Sequence, residues 1–378
     1  MKNILVVDDS ALMRRVESDI INTDGRFRVL NTATNGLEAL DFVVKNPGCY
    51  DAIILDINMP KMNGIEFLEV LEKQKIRQRV LVVSTAAVEG ANVTIRALEL
   101  GAFDYVRKPD SFVEVSSEDF KRELLEKLLC ATGLSVQTPT SVPAGRAPKL
   151  SSGKAQEPIS PMNTRAILAG ASGQKKTHKT VTQSTAKRLV LIASSTGGPK
   201  ALQQVVPFLP KEINAPILIV QHMSEGFTRS LAERLNEQSK VTVVEAQGGE
   251  KLEKGKAYLA KGGTQMRLFK RAGEYVLDVN ATEPARNGLR PCADILFESV
   301  AELDFDDITC VVLTGMGGDG TMGIRRISER NNSYVIGQDE STSTVYGMPK
   351  VVHDAGLTDV VRPLQEIAEE IIKNTGVK

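Results

Sequence analysis

Several features that would each point to a class of protein are missing from this sequence. There is no excess charge of either sign: 47 Lys and Arg balance 47 Asp and Glu. A neutral chain has no global attraction to nucleic acid or to an acidic membrane surface. No apolar run approaches the roughly 18 residues that a membrane span requires. The opening MKNILVVDDS has five apolar residues and then two aspartates, too short a core for a secretory signal. The four cysteines, Cys49, Cys130, Cys292 and Cys310, form no C-x-x-C pair. Neither a disulfide framework nor a zinc ribbon is therefore indicated. These absences predict a reduced, cytoplasmic protein, with no membrane insertion and no nucleic-acid partner.

What is present is ordinary globular composition over 378 residues, 42% hydrophobic and 25% charged. That length predicts two or three domains, each able to bury its own core. Charge is spread unevenly. Residues 1–130 hold 17 basic and 21 acidic side chains, net −4, and residues 188–378 hold 22 and 25, net −3. Between them, residues 131–187 hold 8 basic and 1 acidic, net +7, with no aromatic residue, and Ser, Thr, Gly and Pro fill 25 of the 57 positions. Such a stretch cannot bury enough apolar surface to offset its ordering entropy and reads as a flexible linker. Without aromatics between its charges it lacks the stacking groups of a nucleic-acid binder. One apolar island, Ala166–Ala171, is placed to dock on a domain. The division is 1–127, a linker over 128–187, and 188–378.

In the first domain short apolar runs alternate with helical patterns. Asn3–Val7, Ala52–Leu55, Val80–Val83 and Asp104–Val106 read as strands; Ser10–Ile21, Gly36–Val44, Gly64–Glu72 and Ala91–Leu100 read as helices. Regular β-α alternation predicts a parallel sheet covered on both faces, with ligands outside the carboxyl ends of its strands. Asp8 and Asp9, Asp56, Ser84 and Thr85, and Lys108 all fall at such ends. Three converging carboxylates repel unless one stays protonated or a cation joins them. Oxygen-only ligands suit Mg²⁺. A hydroxyl and an ammonium group opposite them can hold a phosphoryl group in transfer. The plainer alternative is a set of strand-end caps and salt bridges.

The segments VVDDS (6–10), LDINMPKMNG (55–64), VVST (82–85) and DYVRKP (104–109) resemble the receiver domain of bacterial response regulators. The resemblance implies that Asp56 accepts a phosphoryl group from a histidine kinase. It also implies that Asp8, Asp9 and Asp56, with the backbone carbonyl of Asn58, hold Mg²⁺. Ser84 takes the place of the switch hydroxyl, with Thr85 as an alternative, Lys108 pairs with the phosphate, and Tyr105 is the switch aromatic.

The second domain alternates too. Arg188–Ala193, Pro216–Gln221 and Ile308–Thr314 read as central strands, and Gly198–Phe208, Phe227–Asn236 and Ala293–Ala301 as helices. Lys256–Ala260, Met266–Phe269 and Tyr275–Val279 read as antiparallel and peripheral. Three strand ends carry polar residues: SSTGGP (194–199), QHMSEGF (221–227) and TGMGGDG (314–320). Ser195 falls on a sharp strand-to-helix turn whose glycines let the backbone pass close to a substrate. A serine hydroxyl needs a base to take its proton, and histidine suits that work near neutral pH. His178 lies in the linker and His353 near the C-terminus, away from any glycine turn, which favours His222. Each segment also has a bland reading, as a helix cap or a satisfied polar residue. Gly315–Gly320 formally matches G-x-G-x-x-G, with Asp339 at the spacing of a ribose ligand. A nucleotide fingerprint normally opens its domain, however, and this one comes late.

The segments SSTGGP, QHMSEGFTRSLAERLN (221–236) and LTGMGGDGTMG (313–323), with RPCADILFESVA (290–301) and YGMPK (346–350), resemble the catalytic domain of the chemotaxis protein-glutamate methylesterases. The resemblance implies that Ser195 is the nucleophile, His222 the general base and Asp319 the orienting acid. The backbone amides of Thr196 and Met316 are then candidates for an oxyanion hole. The implied substrate is a glutamate γ-methyl ester, or a glutamine, on methyl-accepting chemoreceptors, and the esterase step needs no cofactor. The expected fold is α/β: two doubly wound parallel-sheet domains, one flavodoxin-like and one Rossmann-like, joined by the linker. Rival outputs are a DNA-binding domain, which would carry a basic helix-turn-helix, and a non-catalytic nucleotide-binding domain.

Overall fold

The computed structural model describes residues 1–85, 88–109, 117–134 and 187–377. Most of the stretch read as a linker, including Ala166–Ala171, lies outside the described residues. No helix among the described residues is long and apolar enough to cross a membrane.

The first half runs β1 (Lys2–Val7), α1 (Ala11–Thr23), β2 (Phe27–Ala33), α2 (Gly36–Lys45), β3 (Ala52–Asp56), α3 (Gly64–Lys73), β4 (Val80–Ser84), α4 (Val88–Glu99), β5 (Asp104–Arg107) and α5 (Glu118–Ala131). The five strands are parallel, in the order β2-β1-β3-β4-β5. Ile4–Val7, Ile53–Leu55 and Leu81–Val83 are wholly buried, as expected of strands covered on both faces. Four helices start on side-chain caps: Ser10 Oγ accepts from the Met13 amide, Asn35 from Glu38, Ser117 from Phe120, and Asn63 and Glu66 cap each other. β2 escaped the sequence reading because only its end residues, Phe27 and Ala33, are buried. An edge strand has no continuous apolar run to betray it. α5 continues to Ala131, beyond residue 127, because Leu124, Leu128, Leu129 and Ala131 are buried on the sheet.

The second half runs β6 (Arg188–Ser194), α6 (Gly198–Gln203), β7 (Ile217–Gln221), α7 (Phe227–Gln238), β8 (Thr242–Glu245), β9 (Lys256–Leu259), β10 (Gln265–Arg271), β11 (Glu274–Asn280), α8 (Ala293–Ala301), β12 (Asp307–Val312), α9 (Thr321–Arg330), β13 (Ser333–Gln338), α10 (Met348–Asp354), β14 (Val360–Arg362) and α11 (Leu364–Thr375). Seven parallel strands form one sheet, ordered β14-β13-β12-β6-β7-β9-β8, and β10 pairs with β11 as an antiparallel hairpin. Two local expectations are corrected. Lys256–Leu259 is not antiparallel and peripheral; it lies inside the main sheet, with Ala257, Tyr258 and Leu259 fully buried. The helix expected over Gly198–Phe208 breaks after Gln203 into a 3₁₀ turn at Val206–Phe208, because Pro207 offers no N–H and disfavours helix before it.

Both sheets have a point where the chain reverses its direction of winding, between β1 and β3 in the first and between β6 and β12 in the second. Crevices form outside the strand ends at such points. The halves also touch each other. Arg234 on α7 forks onto Glu99 of α4, with Nε–Oε1 at 2.6 Å and Nη2–Oε2 at 3.2 Å. Ala91, Ile95, Leu98 and Tyr105 join Phe227 and Leu231 in one apolar cluster.

One buried residue opposes its surroundings. Glu17 lies under α1 between Met13 and Ile21, is 0% exposed, and neither carboxylate oxygen has a partner. Burial holds its pKa well above 4.5, and the charge of Asp8 adds to this. The folded state therefore keeps a proton that the unfolded chain releases, and stability falls as pH rises above the ordinary carboxylate range. Glu17→Met is expected to stabilise the protein by about 1–3 kcal/mol at pH 7, and by less at pH 5. Urea denaturation of both proteins at the two pH values checks this.

Candidate active site

Around the β1–β3 crevice, Asp8 is buried just past β1, Asp9 beside it is exposed, and Asp56 is buried at the end of β3. Carboxylate oxygens of the three lie within 4.8 Å of one another. Lys108 Nζ stands 2.8 Å from Asp8 Oδ2 and 3.2 Å from Asp56 Oδ2. Burial pushes the Asp56 carboxyl up to about 6, with Lys108 opposing and Asp8 adding. Burial also works against the Lys108 ammonium, but Asp56 and Asp8 outweigh it and raise its pKa. Ser84 ends the neighbouring strand β4, buried, its Oγ donating to the Gly90 carbonyl at 3.4 Å; Thr85 is half-buried. Asn58 is exposed two residues beyond β3. An all-oxygen set of this charge fits a hard divalent ion such as Mg²⁺.

Tyr105 does not sit with that cluster. It is 2% exposed, reaching toward the second half, where its hydroxyl accepts from the Ser224 amide at 3.1 Å. Its ring lies 4.4 Å from that of Phe227.

In the second half, β12, β6 and β7 are adjacent, and the three polar segments follow them directly. The Ser195 amide donates to Thr314 O and the His222 amide to Ser194 O, each at 3.0 Å. These two bonds join the three strand ends. Gly315 approaches so closely that a Cβ there would lie 2.7 Å from the Ser195 Cβ. Ser195, Thr196, His222 and Met316 line one cleft of about 610 Å³. Among the hydrogen bonds of the described residues, none joins the Ser195 hydroxyl to His222, and none is donated by the Thr196 or Met316 amides. The opposite wall of the cleft comes from the first half, through Tyr105, Arg122, Glu126 and Lys127. Cys130 Sγ stands 3.1 Å from Met316 Sδ.

Asp319 is buried, and its Oδ2 lies 2.7 Å from His222 Nε2. The same carboxylate accepts from the amides of Ala293 (2.6 Å), Asp294 (2.9 Å) and Gly320 (3.0 Å), and from Cys292 Sγ (3.1 Å). It thus caps the N-terminus of α8 from another part of the chain. Burial alone would raise its pKa; the His222 ring and these donors hold it well below the ordinary carboxylate range. Asp294 reciprocates by accepting from the Gly323 amide in the first turn of α9 at 2.8 Å. Burial and the nearby Asp319 charge push Asp294 up to about 6. The G-x-G-x-x-G match is thereby accounted for: its Asp319 is committed to His222 and α8, and Asp339 bonds to Ser341 and Thr342.

The CheB methylesterase family model matches residues 190–371, and the response regulator receiver domain model matches residues 4–117. A protein-glutamate methylesterase/protein-glutamine glutaminase of Pyrococcus horikoshii is 39% identical over 372 residues, 98% of this chain and 92% of its own length. The chain belongs to the CheB methylesterase family. The Bacillus subtilis protein of the same name is 38% identical over 375 residues, 98% of both chains. The crystal structure of the Thermotoga maritima CheB methylesterase catalytic domain is 39% identical, with a TM-score of 0.48, and covers 50% of this chain and 98% of that chain.

Three residues at the site were not assigned from sequence: Gln221, Cys292 and Asp294. All stand inside motifs that drew notice, but their contacts cross between segments, and no local pattern reveals them. The Asp319 cap has a consequence for stability. A carboxylate whose pKa is depressed on folding contributes stability above its unfolded value that is lost as pH falls. Asp319→Ala is expected to cost about 1–3 kcal/mol by leaving buried amides unpaired. Thermal unfolding at pH 7 should show this loss, and Ser195→Ala should unfold like the wild type.

Proposed function

We propose that this chain is a protein-glutamate methylesterase and glutamine deamidase that acts on chemoreceptors through Ser195, His222 and Asp319, and that phosphorylation of Asp56 switches it on. The observation that carries the chemistry is the 2.7 Å contact between the His222 ring and a buried, ionised Asp319, with Ser195 on the same cleft. Ser195 Oγ attacks the ester carbonyl while His222 removes its proton, and that proton leaves with methanol. His222 then takes a proton from water, whose oxygen releases the glutamate and restores the serine. In deamidation the leaving group is ammonia. His222 meets Asp319 through Nε2, so Nδ1 is the nitrogen left to serve the serine. The uncommitted Thr196 and Met316 amides border the same cleft and suit a developing oxyanion, where each donor is worth roughly 3–4 kcal/mol.

The receiver half supplies control. Asp56 accepts the phosphoryl group from a histidine kinase. Asp8, Asp9 and Asp56, with the Asn58 carbonyl, would hold Mg²⁺, which neutralises phosphoryl charge. Lys108 and Ser84 bind the phosphate oxygens. In the arrangement seen here, Tyr105 is anchored on Ser224 and Phe227, two and five residues past the base, and α5 walls the cleft. In this reading, that wall keeps a receptor helix from Ser195. Drawing Ser84 and Tyr105 toward a phosphate gives up the Ser224 bond and loosens the docked state. A shift of about 2.7 kcal/mol in docking changes the open-to-closed ratio about a hundredfold.

Methanol release from methylated receptor tests the reading. Ser195→Ala should abolish release while Asp56 still takes up phosphate. The wild type should speed up with Mg²⁺ and a small phosphodonor, and fragment 186–378 should be active without either. Equal activity of fragment and intact chain, unresponsive to phosphodonor, rules out inhibition by the receiver. Tyr105→Phe removes one hydrogen bond worth about 1 kcal/mol, so unphosphorylated activity should rise roughly fivefold in the same assay.

A further inference from the structure

Behind the reacting groups, one side chain ties together the two strand ends that carry them. Gln221 closes β7 and is 2% exposed. Its Nε2 donates to the carbonyl of Ser195 at 2.9 Å and to the carbonyl of His222 at 3.0 Å. Its Oε1 accepts from Ser194 Oγ at 2.7 Å, and Ser194 is 0% exposed. Carbonyls only accept, so the amide nitrogen must face them and the orientation is unambiguous. The chain also reserves the space for this amide: a Cβ on Gly198 would fall 2.0 Å from Oε1.

We infer that Gln221 is a positioning residue for the hydrolysis, holding the serine and the histidine in one fixed relation by gripping the carbonyl of each. The inference rests on the Ser195–His222 reading above. Gln221 itself reaches neither substrate nor reacting atom; it acts through the two backbones. The chemistry of the side chain explains the choice. Linking two part-buried carbonyls side by side takes two N–H donors on one rigid plane, which a primary amide supplies. Methionine fills the volume but removes both bonds: the Ser195 carbonyl keeps only the Gly198 amide, at 2.7 Å, and the His222 carbonyl loses its one donor among the described residues. Ionised glutamate turns acceptors on acceptors, and protonated glutamate restores one of the two bonds.

The test uses the intact chain with phosphodonor, assayed for methanol release from methylated receptor and for the rate at which a fluorophosphonate labels Ser195. Gln221→Met should lower kcat by roughly 10- to 100-fold, the scale of a small misplacement of reacting groups. KM should stay within about twofold, and labelling should slow by the same factor as kcat. Ser194→Ala keeps both carbonyl bonds and should lose only a few-fold. For Gln221→Glu, the ratio of its kcat to that of the wild type should rise as pH is lowered from about 8 to 6, because protonation returns a donor; the histidine's own titration cancels in the ratio. That ratio decides the matter even if Gln221→Met does not fold. Wild-type kcat and labelling in Gln221→Met, a loss confined to KM or to the folded fraction, or a flat Gln221→Glu ratio would overturn the inference. Full activity of Ser195→Ala would instead sink the underlying serine mechanism, a separate outcome.

Discussion

One buried carboxylate, Asp319, meets an imidazole on one side and the first turn of a helix on the other, and the catalytic half is organised around that junction. A charge out of water is tolerated only where donors surround it, and here the α8 amides, the Gly320 amide and the Cys292 thiol do so. The ionised state this maintains is the one that can orient His222 and stabilise its cation. The loop that carries Asp319 leaves β12 next to β6, which Ser195 follows directly, and His222 directly follows the next strand over. Sheet order therefore performs an assembly that sequence distance conceals: residues 195, 222 and 319 come to one edge of the sheet because their strands are neighbours at the point where winding reverses.

The first half repeats the logic with different chemistry. Its winding reverses between β1 and β3, and there the chain places three carboxylates and a lysine. Burial and the Asp8 charge disfavour the ionised Asp56 carboxylate, and Lys108 only partly offsets them. A divalent cation, a proton or a phosphoryl group each changes the balance at that spot. Tyr105 joins the two halves: it leaves the sheet of one, and its hydroxyl accepts from the backbone amide two residues past the histidine of the other. An allosteric device needs two arrangements that differ in specific contacts; in the switch proposed above, the Tyr105–Ser224 bond, the Phe227 ring and the Glu99–Arg234 fork belong to the closed one.

Much of this was legible in the sequence, and what was missed has physical reasons. Most strands buried on both faces stood out as apolar runs, and the candidate residues are those that follow their ends. β2, β8 and β14 did not stand out, because they are edge strands with partly exposed faces; β13 was also missed although it lies inside the sheet, its buried run being only Val335–Gln338 and broken by Gly337. β9 was misplaced because a four-residue run does not declare which neighbour it pairs with. The side chains that line the two crevices were named from sequence as candidates, yet their supports were not. Gln221 lies next to the histidine in the chain but grips carbonyls of two different segments. Cys292 and Asp294 belong to a helix cap completed from another part of the chain. Such supports depend on tertiary approach and have no signature of their own.

The most direct test of the serine mechanism is to find which atom becomes covalently bound. A fluorophosphonate that reports activated serines is applied to the phosphodonor-treated protein, and the adduct is located by peptide mass mapping. A single adduct at Ser195, lost in His222→Ala and strongly slowed in Asp319→Ala, is the predicted result. An adduct on another residue, or labelling of Ser195 indifferent to His222, would contradict a base-activated serine at this junction.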